Sequence, residues 1–594
     1  MLAALYDPGW VFAHPFLSFC TLWAGFVTYY ALLWSWRIFL LPKLSPLRDV
    51  PGPECVHSIY GNMGELSMKP PGRAHVDWTE QFGGAVRYRG LLGQDLLLLS
   101  DSVAMTHLLT NDPYACYQKP AELRGDLLVH LGKGLIFAEG EEHRHQRRML
   151  TPAFSHANVK AMLPTFFDLA HKLRGIWIQK IETGEIDSAT WYYRKDLESF
   201  RASKEEGETV VEVADWLTRL TLDAIGKTGF DYEFSSLDRR EDPLSTAFYT
   251  LFAPKLPMIR IPPKFLLIHH VIGSCLHALP SMSWLKHVPD ARMQQILEAC
   301  KTLEVESRKI ITAKRDEVKR AGQDALKGKK DLISLLIAAD GPDSKISLTA
   351  EELRGQLNSF LFAGHDTIAG TIAWVLLAMS NDRARQERLR REIRRARTQA
   401  IAAGREELDH DELNSLEYLD AVVRESLRLE PALSATPRTA IKDDLIPLSV
   451  PIVSATDPSK TISFVPIKKG QTIWLGVYAA NRDKKVFGPD ADEFRPERWL
   501  DPEHRIDSKM GVYSGLMTFL AGPRSCPGYK FALLEIKAVL SVLIDTFEFS
   551  PRDSSTIIER GTQVITRPYV KGEVHLGTRM PLRIRITDSD DAEE

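Results

Sequence analysis

The chain has 594 residues, with 75 lysines and arginines against 78 aspartates and glutamates, a formal charge of −3. An apolar share of 44% and a charged share of 26% belong to a chain that buries a core, not to a disordered one, and the charge balance excludes a nucleic-acid binder. The six cysteines, Cys20, Cys55, Cys116, Cys275, Cys300 and Cys526, are scattered without a Cys-x-x-Cys pair, which excludes a zinc ribbon or a disulfide framework and fits a reducing compartment.

No residue is charged from Pro15 to Trp36. A run of about 20 apolar residues crosses a bilayer as a helix. Trp10, Tyr29, Tyr30, Trp34 and Trp36 supply interfacial aromatics, and no small-residue cleavage site follows as in a secretory leader. Asp7 precedes the run, whereas Arg37, Lys43 and Arg48 follow it. The positive-inside rule puts the N-terminus in the lumen and the rest in the cytosol. Pro42, Pro46, Pro51, Gly52 and Pro53 then predict a stiff spacer.

Residues 85–100 read as a hairpin, Ala-Val-Arg-Tyr-Arg, Gly-Leu-Leu-Gly, Asp-Leu-Leu-Leu-Leu-Ser. Within 134–150, His143 and Arg147 are four apart and share one helix face. The charge-rich stretch 182–208 reads as an exposed insertion, and 210–230 regains helical spacing. Residues 251–284 are apolar, but Pro254, Pro257, Pro262, Pro263 and Pro280 interrupt them too often for a membrane span. A charged helix over 293–325 and a basic loop at 327–330 follow.

Thr349-Ala-Glu-Glu352 starts a long helix over 348–379. Its centre reads Phe360-Leu-Phe-Ala-Gly-His-Asp-Thr367. Gly364 weakens the helix and lets a ligand approach the backbone. Asp366 and Thr367 place an acid beside an alcohol, a pair able to relay protons from water. A helix over 416–429 carries Glu425 and Arg428 three apart, on one face. The segment 566–586 reads as a closing hairpin, and 588–594 as an acidic tail.

The stretch Phe519-Leu-Ala-Gly-Pro-Arg-Ser-Cys-Pro-Gly528 has two glycines and two prolines, which force a rigid turn. It presents Cys526 just before a helix N-terminus, where backbone N–H groups favour an anionic sulfur. A thiolate held in this way makes an axial ligand for haem iron, with Phe519 set to pack on the macrocycle and Arg524 to reach a propionate.

Phe-x-x-Gly-x-Arg-x-Cys-x-Gly resembles the haem-binding signature of the cytochrome P-450 family, and Ala-Gly-x-Asp-Thr resembles its distal-helix motif. The resemblance spans roughly Pro51 to Ile586 and looks most like fungal microsomal members. It implies a mainly α fold with small β-sheets, preceded by one transmembrane helix. The implied parts are an anchor over 1–40, a proline-rich hinge over 41–55, a haem-thiolate domain over 56–586 and a disordered tail over 587–594. The family carries Trp-x-x-x-Arg on a haem propionate where this chain has His143 and Arg147; Arg438 is a further propionate partner. Glu425 and Arg428 would lock to Arg498 from the loop Phe494-Arg-Pro-Glu-Arg-Trp499 as a structural brace. Segment 251–284 would cover the substrate entrance and touch the bilayer surface.

The resemblance further implies haem b, dioxygen as co-substrate, and Asp366 and Thr367 as catalytic residues. Electrons would come from NADPH through a separate reductase, with cytochrome b5 as a further donor, since no dinucleotide fingerprint occurs. Arg144 and Arg148 would offer a cationic surface to that partner. The expected enzyme is a monooxygenase of the endoplasmic reticulum membrane acting on a hydrophobic small molecule, a terpenoid of fungal secondary metabolism. A fatty-acid or alkane hydroxylase is the alternative, followed by a haem-thiolate isomerase or dehydratase. Phe360, Leu361 and Ala363, residues 433–436 and residues 571–575 are candidate pocket linings.

Overall fold

A computed structural model describes residues 15–36, 40, 44–184, 207–240, 242–252, 267, 291–321, 331–339, 348–503, 510–562 and 565–587. The body is mainly helical. The helices used below are α1 (Pro15–Ser35), α2 (Ser102–Thr110), α3 (Gly140–Leu150), α4 (Leu163–Thr183), α5 (Val213–Ile225), α6 (Ala350–Gly364), α7 (Asp366–Ser380), α8 (Glu417–Leu429) and α9 (Tyr529–Thr546). Helix α1 contains a candidate membrane span, Phe16–Leu33.

Helix α9, which follows the cysteine loop, is buried at every position from Phe531 to Ile544. Its sequence, Phe-Ala-Leu-Leu-Glu-Ile-Lys-Ala-Val-Leu, is apolar nearly all round, as a core helix must be. Phe166 of α4 meets Phe531 edge-on at 5.1 Å, and Trp177 wedges between Phe547 and Phe549. The cysteine loop thus leads into a helix packed in the core.

Among the described residues the strands form four small sheets. β1 (Ala85–Arg89) and β2 (Asp95–Leu99) make the expected hairpin, with Val86 opposite Leu98. They continue through β8 (Thr472–Leu475), β5 (Thr436–Ala440) and β3 (Tyr117–Gln118) in the order β1-β2-β8-β5-β3. β6 (Asp444–Val453) pairs with β7 (Thr461–Ile467), and β10 (Ile558–Thr562) pairs with β11 (Thr566–Val570). β12 (Pro581–Ile586) lies between β4 (Glu208–Glu212) and β9 (Phe547–Pro551).

Four expectations change. The proline-rich run is no free spacer from residue 44 onward. Leu47 and Val50 are buried in a cluster with Ile446 and Val465, and the Arg87 amide donates to the Pro51 carbonyl at 2.9 Å. Prolines suit this sheet-edge fastening because they need no ladder donor. Residues 208–212 form a strand, where β-branched Thr209, Val210 and Val211 alternate beside β12. Segments 566–570 and 581–586 do not pair with each other; each takes a different partner. The long helix is broken at His365 into α6 and α7. Its start is as expected, with Thr349 and Glu352 forming a capping box. The insertion over 185–206, most of 251–284, the loop 327–330 and the tail 588–594 lie outside the described residues.

Candidate functional site

Two tight turns, Met517–Phe519 and Gly522–Arg524, build the cysteine loop. Gly522 has φ +62°, and a Cβ there would stand 2.3 Å from the Leu109 carbonyl oxygen, so no other residue fits. The Cys526 amide donates to the Phe519 carbonyl at 2.9 Å, which closes the loop. Burial pushes the Cys526 thiol up, while the Gly528 amide and the Arg147 charge act in the opposite direction. A metal cation on the sulfur would complete what those two donors begin. Phe519 packs between Tyr513 and Tyr529, with centroids at 6.1 and 6.0 Å.

Beside the loop lies a group of buried and half-buried cations. Arg147 of α3 donates from Nη1 to the Ser525 carbonyl at 2.6 Å. Arg524 donates to the Ala138 carbonyl at 3.0 Å and pairs with Glu139. Lys119 Nζ donates to the same Glu139 at 2.8 Å. Arg438, 5% exposed, bonds only to its neighbours among the described residues: Thr436 Oγ1 at 3.0 Å and the Pro437 carbonyl at 2.7 Å. His143 is buried here too, with Nδ1 at 3.0 Å from the Tyr114 hydroxyl.

Lys119 and Arg524 therefore share one carboxylate, with Arg147 and Arg438 bonded only to carbonyl and hydroxyl oxygens among the described residues, and the titration of the group reflects the imbalance. Burial pushes Lys119 down to about 7, Arg524 and Arg438 push further, and Glu139 restores only part. Burial and then Arg524 lower Arg438 to about 10. Burial first, then Arg524, Lys119, Arg147 and Arg438, holds His143 far below the usual imidazole range, so it is neutral and able to donate one N–H. A desolvated set of donors short of negative charge is a receptor for a dianion. The two propionates of a haem whose iron sits on Cys526 fit that requirement.

The third part is the break between α6 and α7. His365 has φ −102° and ψ −57°. Thr367 Oγ1 donates to the Ala363 carbonyl at 2.7 Å, and Thr371 Oγ1 to the Thr367 carbonyl at 2.9 Å. Ala363 and Thr367 lie four apart on the face that stays accessible. Asp366 is buried and paired with Arg567 of β11. Gly364 does not open a path to a ligand as expected. A Cβ there would stand 2.8 Å from Ile225, so this glycine lets α5 pack against the break.

Glu425, Arg428 and Arg498 meet in the structure. Arg428 donates to both oxygens of Glu425 at 2.9 and 2.8 Å, and Arg498 Nε donates at 2.9 Å. The Arg495 amide and Trp499 Nε1 add two more donors, at 2.9 and 3.0 Å. Burial pushes Glu425 up, but Arg428 and Arg498 outweigh it and hold the carboxyl below its usual range.

Of the candidate pocket residues, Phe360 and Leu361 are core. Phe360 meets Phe154 edge-on at 5.7 Å, and Leu361 is fully buried. Residues 571–575 form a surface turn, whereas the start of β11 comes to the 432–434 segment through Thr566 N–H to Ala432 O at 2.8 Å. Lys119, Glu139, Tyr114 and Arg567 were missed. Glu139 and Arg567 meet Arg524 and Asp366 from far along the sequence, and Lys119 and Tyr114 carried no signal beyond their neighbouring prolines.

The sequence pattern of the Cytochrome P450 family matches residues 50–575. Cytochrome P450 monooxygenase 205 of Postia placenta is 33% identical over 552 residues, 91% of this chain and 93% of that relative. Cytochrome P450 monooxygenase claO of Ampulloclitocybe clavipes is 30% identical over 550 residues, 91% and 93% of the two chains. Cytochrome P450 monooxygenase claP of the same fungus is 31% identical over 554 residues, 92% and 94%.

Proposed function

This chain belongs to the cytochrome P450 family, and from that premise we propose that it oxidises a hydrophobic small molecule of fungal secondary metabolism, a terpenoid, at the face of Ala363 and Thr367. Family membership makes it a haem monooxygenase using dioxygen. The observation that carries the site assignment is the set of buried and half-buried cations beside Cys526, two of which share one carboxylate. Bound haem supplies dioxygen binding and activation, so that one oxygen atom enters the substrate and the other leaves as water.

The chain's own residues do the rest. Cys526 would hold the haem iron through its sulfur, with the Gly528 amide and Arg147 stabilising its negative charge. Arg147, Arg438, Arg524 and Lys119, with His143 as a neutral donor, hold the carboxylates at the cofactor's edge. The Thr367 hydroxyl rotates off the Ala363 carbonyl and turns its proton into the accessible face. Asp366, oriented by Arg567, restores that proton from water. Gly364 serves helix packing, and Glu425, Arg428 and Arg498 brace the loop from behind.

Electrons come from an NADPH–haemoprotein reductase. Exposed Arg148, and Arg144 over the Tyr114 ring, offer it a cationic surface on α3. Helix α1 anchors the chain in the endoplasmic reticulum membrane with the body in the cytosol. The acid–alcohol pair favours monooxygenation over isomerase chemistry, which needs no delivered protons.

The test is the reduced carbon-monoxide difference spectrum of wild type and Cys526→Ala. A thiolate-type peak in the first and its loss in the second is expected; a peak that survives would overturn the ligand assignment. A Soret shift with terpenoids but not fatty acids, and product only with NADPH and reductase, would support the finer reading. The opposite ligand preference would favour the fatty-acid or alkane alternative.

A further inference from the structure

We propose that His156, His410 and Asp411 form a surface site for a divalent metal ion of the zinc type, outside the groups assigned above. One ring nitrogen of each histidine and one oxygen of the carboxylate lie within 4.8 Å of one another. Among the described residues this is the one group of three metal-ligating side chains so placed. The two rings stand edge to face, with centroids 4.6 Å apart and planes at 88°. Two imidazoles with a carboxylate select zinc, nickel or copper over magnesium or calcium, which take shells of oxygen. Three protein ligands leave a fourth position to water.

Fold, not sequence spacing, brings His156 to His410. The first opens the short helix His156–Lys160, and the second opens His410–Ser415. Val159 and Leu413 of these helices are buried in the main core, and both helices pack on α9. Asp409 fixes the second helix start. Its Oδ1 accepts from the Asp411 and Glu412 amides at 2.9 Å, and Glu412 Oε2 accepts from the Asp409 amide at 2.9 Å. The two backbones are thus held in place before an ion arrives, and a preorganised site loses little to ordering.

The ligands also have partners. Asp411 Oδ1 lies 2.8 Å from His410 Nδ1, and Asn414 Nδ2 lies 3.2 Å from His410 Nε2. Partners of this kind set ring orientation at metal sites. Lys160 is the competitor: its ammonium donates to Asp411 Oδ2 at 2.9 Å. Lys160 is exposed, so its flexible stem can carry that charge back into water. The exchange replaces a single charge on Asp411 by a double one and adds two imidazole nitrogens. An ion bound here ties together two segments from opposite halves of the chain, both resting on the helix that follows Cys526.

The experiment titrates zinc chloride into the untagged, full-length holoenzyme in detergent, followed by calorimetry. One equivalent should bind, and binding should weaken more than tenfold in His156→Ala, His410→Ala and Asp411→Asn. His575→Ala, at another exposed histidine, should bind zinc as the wild type does. Lys160→Met should tighten binding several-fold, because it removes the competing cation. Copper(II) in place of zinc should give an electron paramagnetic resonance signal split by two nitrogens. Thermal midpoints in EDTA should match across the variants, which shows that they fold. Zinc at a hundredfold its Kd should raise the wild-type midpoint by about 2 °C and leave those of the histidine variants in place. Absence of saturable binding overturns the proposal, as does binding that the histidine variants leave intact or a copper signal from one nitrogen. Binding unchanged or weakened in Lys160→Met would take Asp411 out of the ligand set and overturn the three-ligand site.

Discussion

Two buried charge clusters lie on either side of the cysteine loop, and they differ in balance. In the brace, Arg428 and Arg498 face Glu425 and Asp490, and the remaining guanidinium N–H groups reach carbonyls such as Phe487 at 2.7 Å and Asp490 at 3.0 Å. At the loop's other edge, Lys119 and Arg524 share Glu139, while Arg147 and Arg438 reach only carbonyl and hydroxyl oxygens among the described residues. The brace is the more deeply buried of the two, but burial does not by itself separate a scaffold from a site. Charge closure does: a closed cluster holds the fold, and an open one awaits a ligand.

The difference is broken most sharply at Glu425. Glu425→Ala leaves two buried guanidiniums without their shared anion, a loss of about 3–5 kcal/mol. Chemical denaturation of the haem-free protein reads this directly. A cost below about 1 kcal/mol would mean that the brace is not closed by its carboxylate.

Lys119 gives the next largest effect, and its sign is distinctive. Its value falls from 10.5 to about 7 in the folded chain, mainly through burial. The unfolded chain therefore holds the proton between these limits and the folded chain does not. Stability from this group is fully present above about pH 10.5 and is lost as pH falls through about 7, a change of a few kcal/mol. Lys119→Met should flatten the difference in thermal midpoint between pH 7 and 10. Haem should flatten it too, because the propionates would stabilise the ammonium.

Arg438→Met sharpens the contrast from the open side. Removing a buried cation with no carboxylate of its own should leave the haem-free protein within about 1 kcal/mol of wild type, or more stable. Haem affinity should fall about tenfold to a hundredfold, the size of a charge-assisted hydrogen bond. Titration of haem into the two apoproteins measures it. A destabilised apoprotein with unchanged haem affinity would move Arg438 into the scaffold.

Much of this arrangement was legible because its parts are local. Cys526 sits in a loop whose prolines and Gly522 dictate the turn, and Glu425 with Arg428 needs only helix spacing. The capping box at Thr349 marked the start of the distal helix. The illegible parts depend on distant segments meeting. Glu139 joins Arg524 across 385 residues, and Arg567 joins Asp366 across 201. Gly364 misled for the same reason. A glycine's missing side chain shows that something comes close, and only the fold reveals that it is Ile225. The pairing of β12 with β4 rather than β11 is likewise a long-range choice that alternation cannot encode.

The smallest expected effect on stability tests the remaining contrast, between holding the cofactor and using it. Among the described residues the Thr367 hydroxyl bonds only to the carbonyl one turn back, and alanine is the better helix former, so Thr367→Ala should change stability by less than about 1 kcal/mol. Haem content should not change, because Thr367 touches neither charge cluster. What should change is coupling: NADPH is still consumed, but hydrogen peroxide replaces most of the oxidised product. Thr371→Ala is the control. Its hydroxyl makes the same contact one turn later, to the Thr367 carbonyl at 2.9 Å, but Thr371 is 5% exposed and off the accessible face. A structural hydroxyl would make the two variants alike, whereas a proton donor makes only Thr367→Ala uncouple. Equal coupling in both would assign the proton route to Asp366 and water without the alcohol.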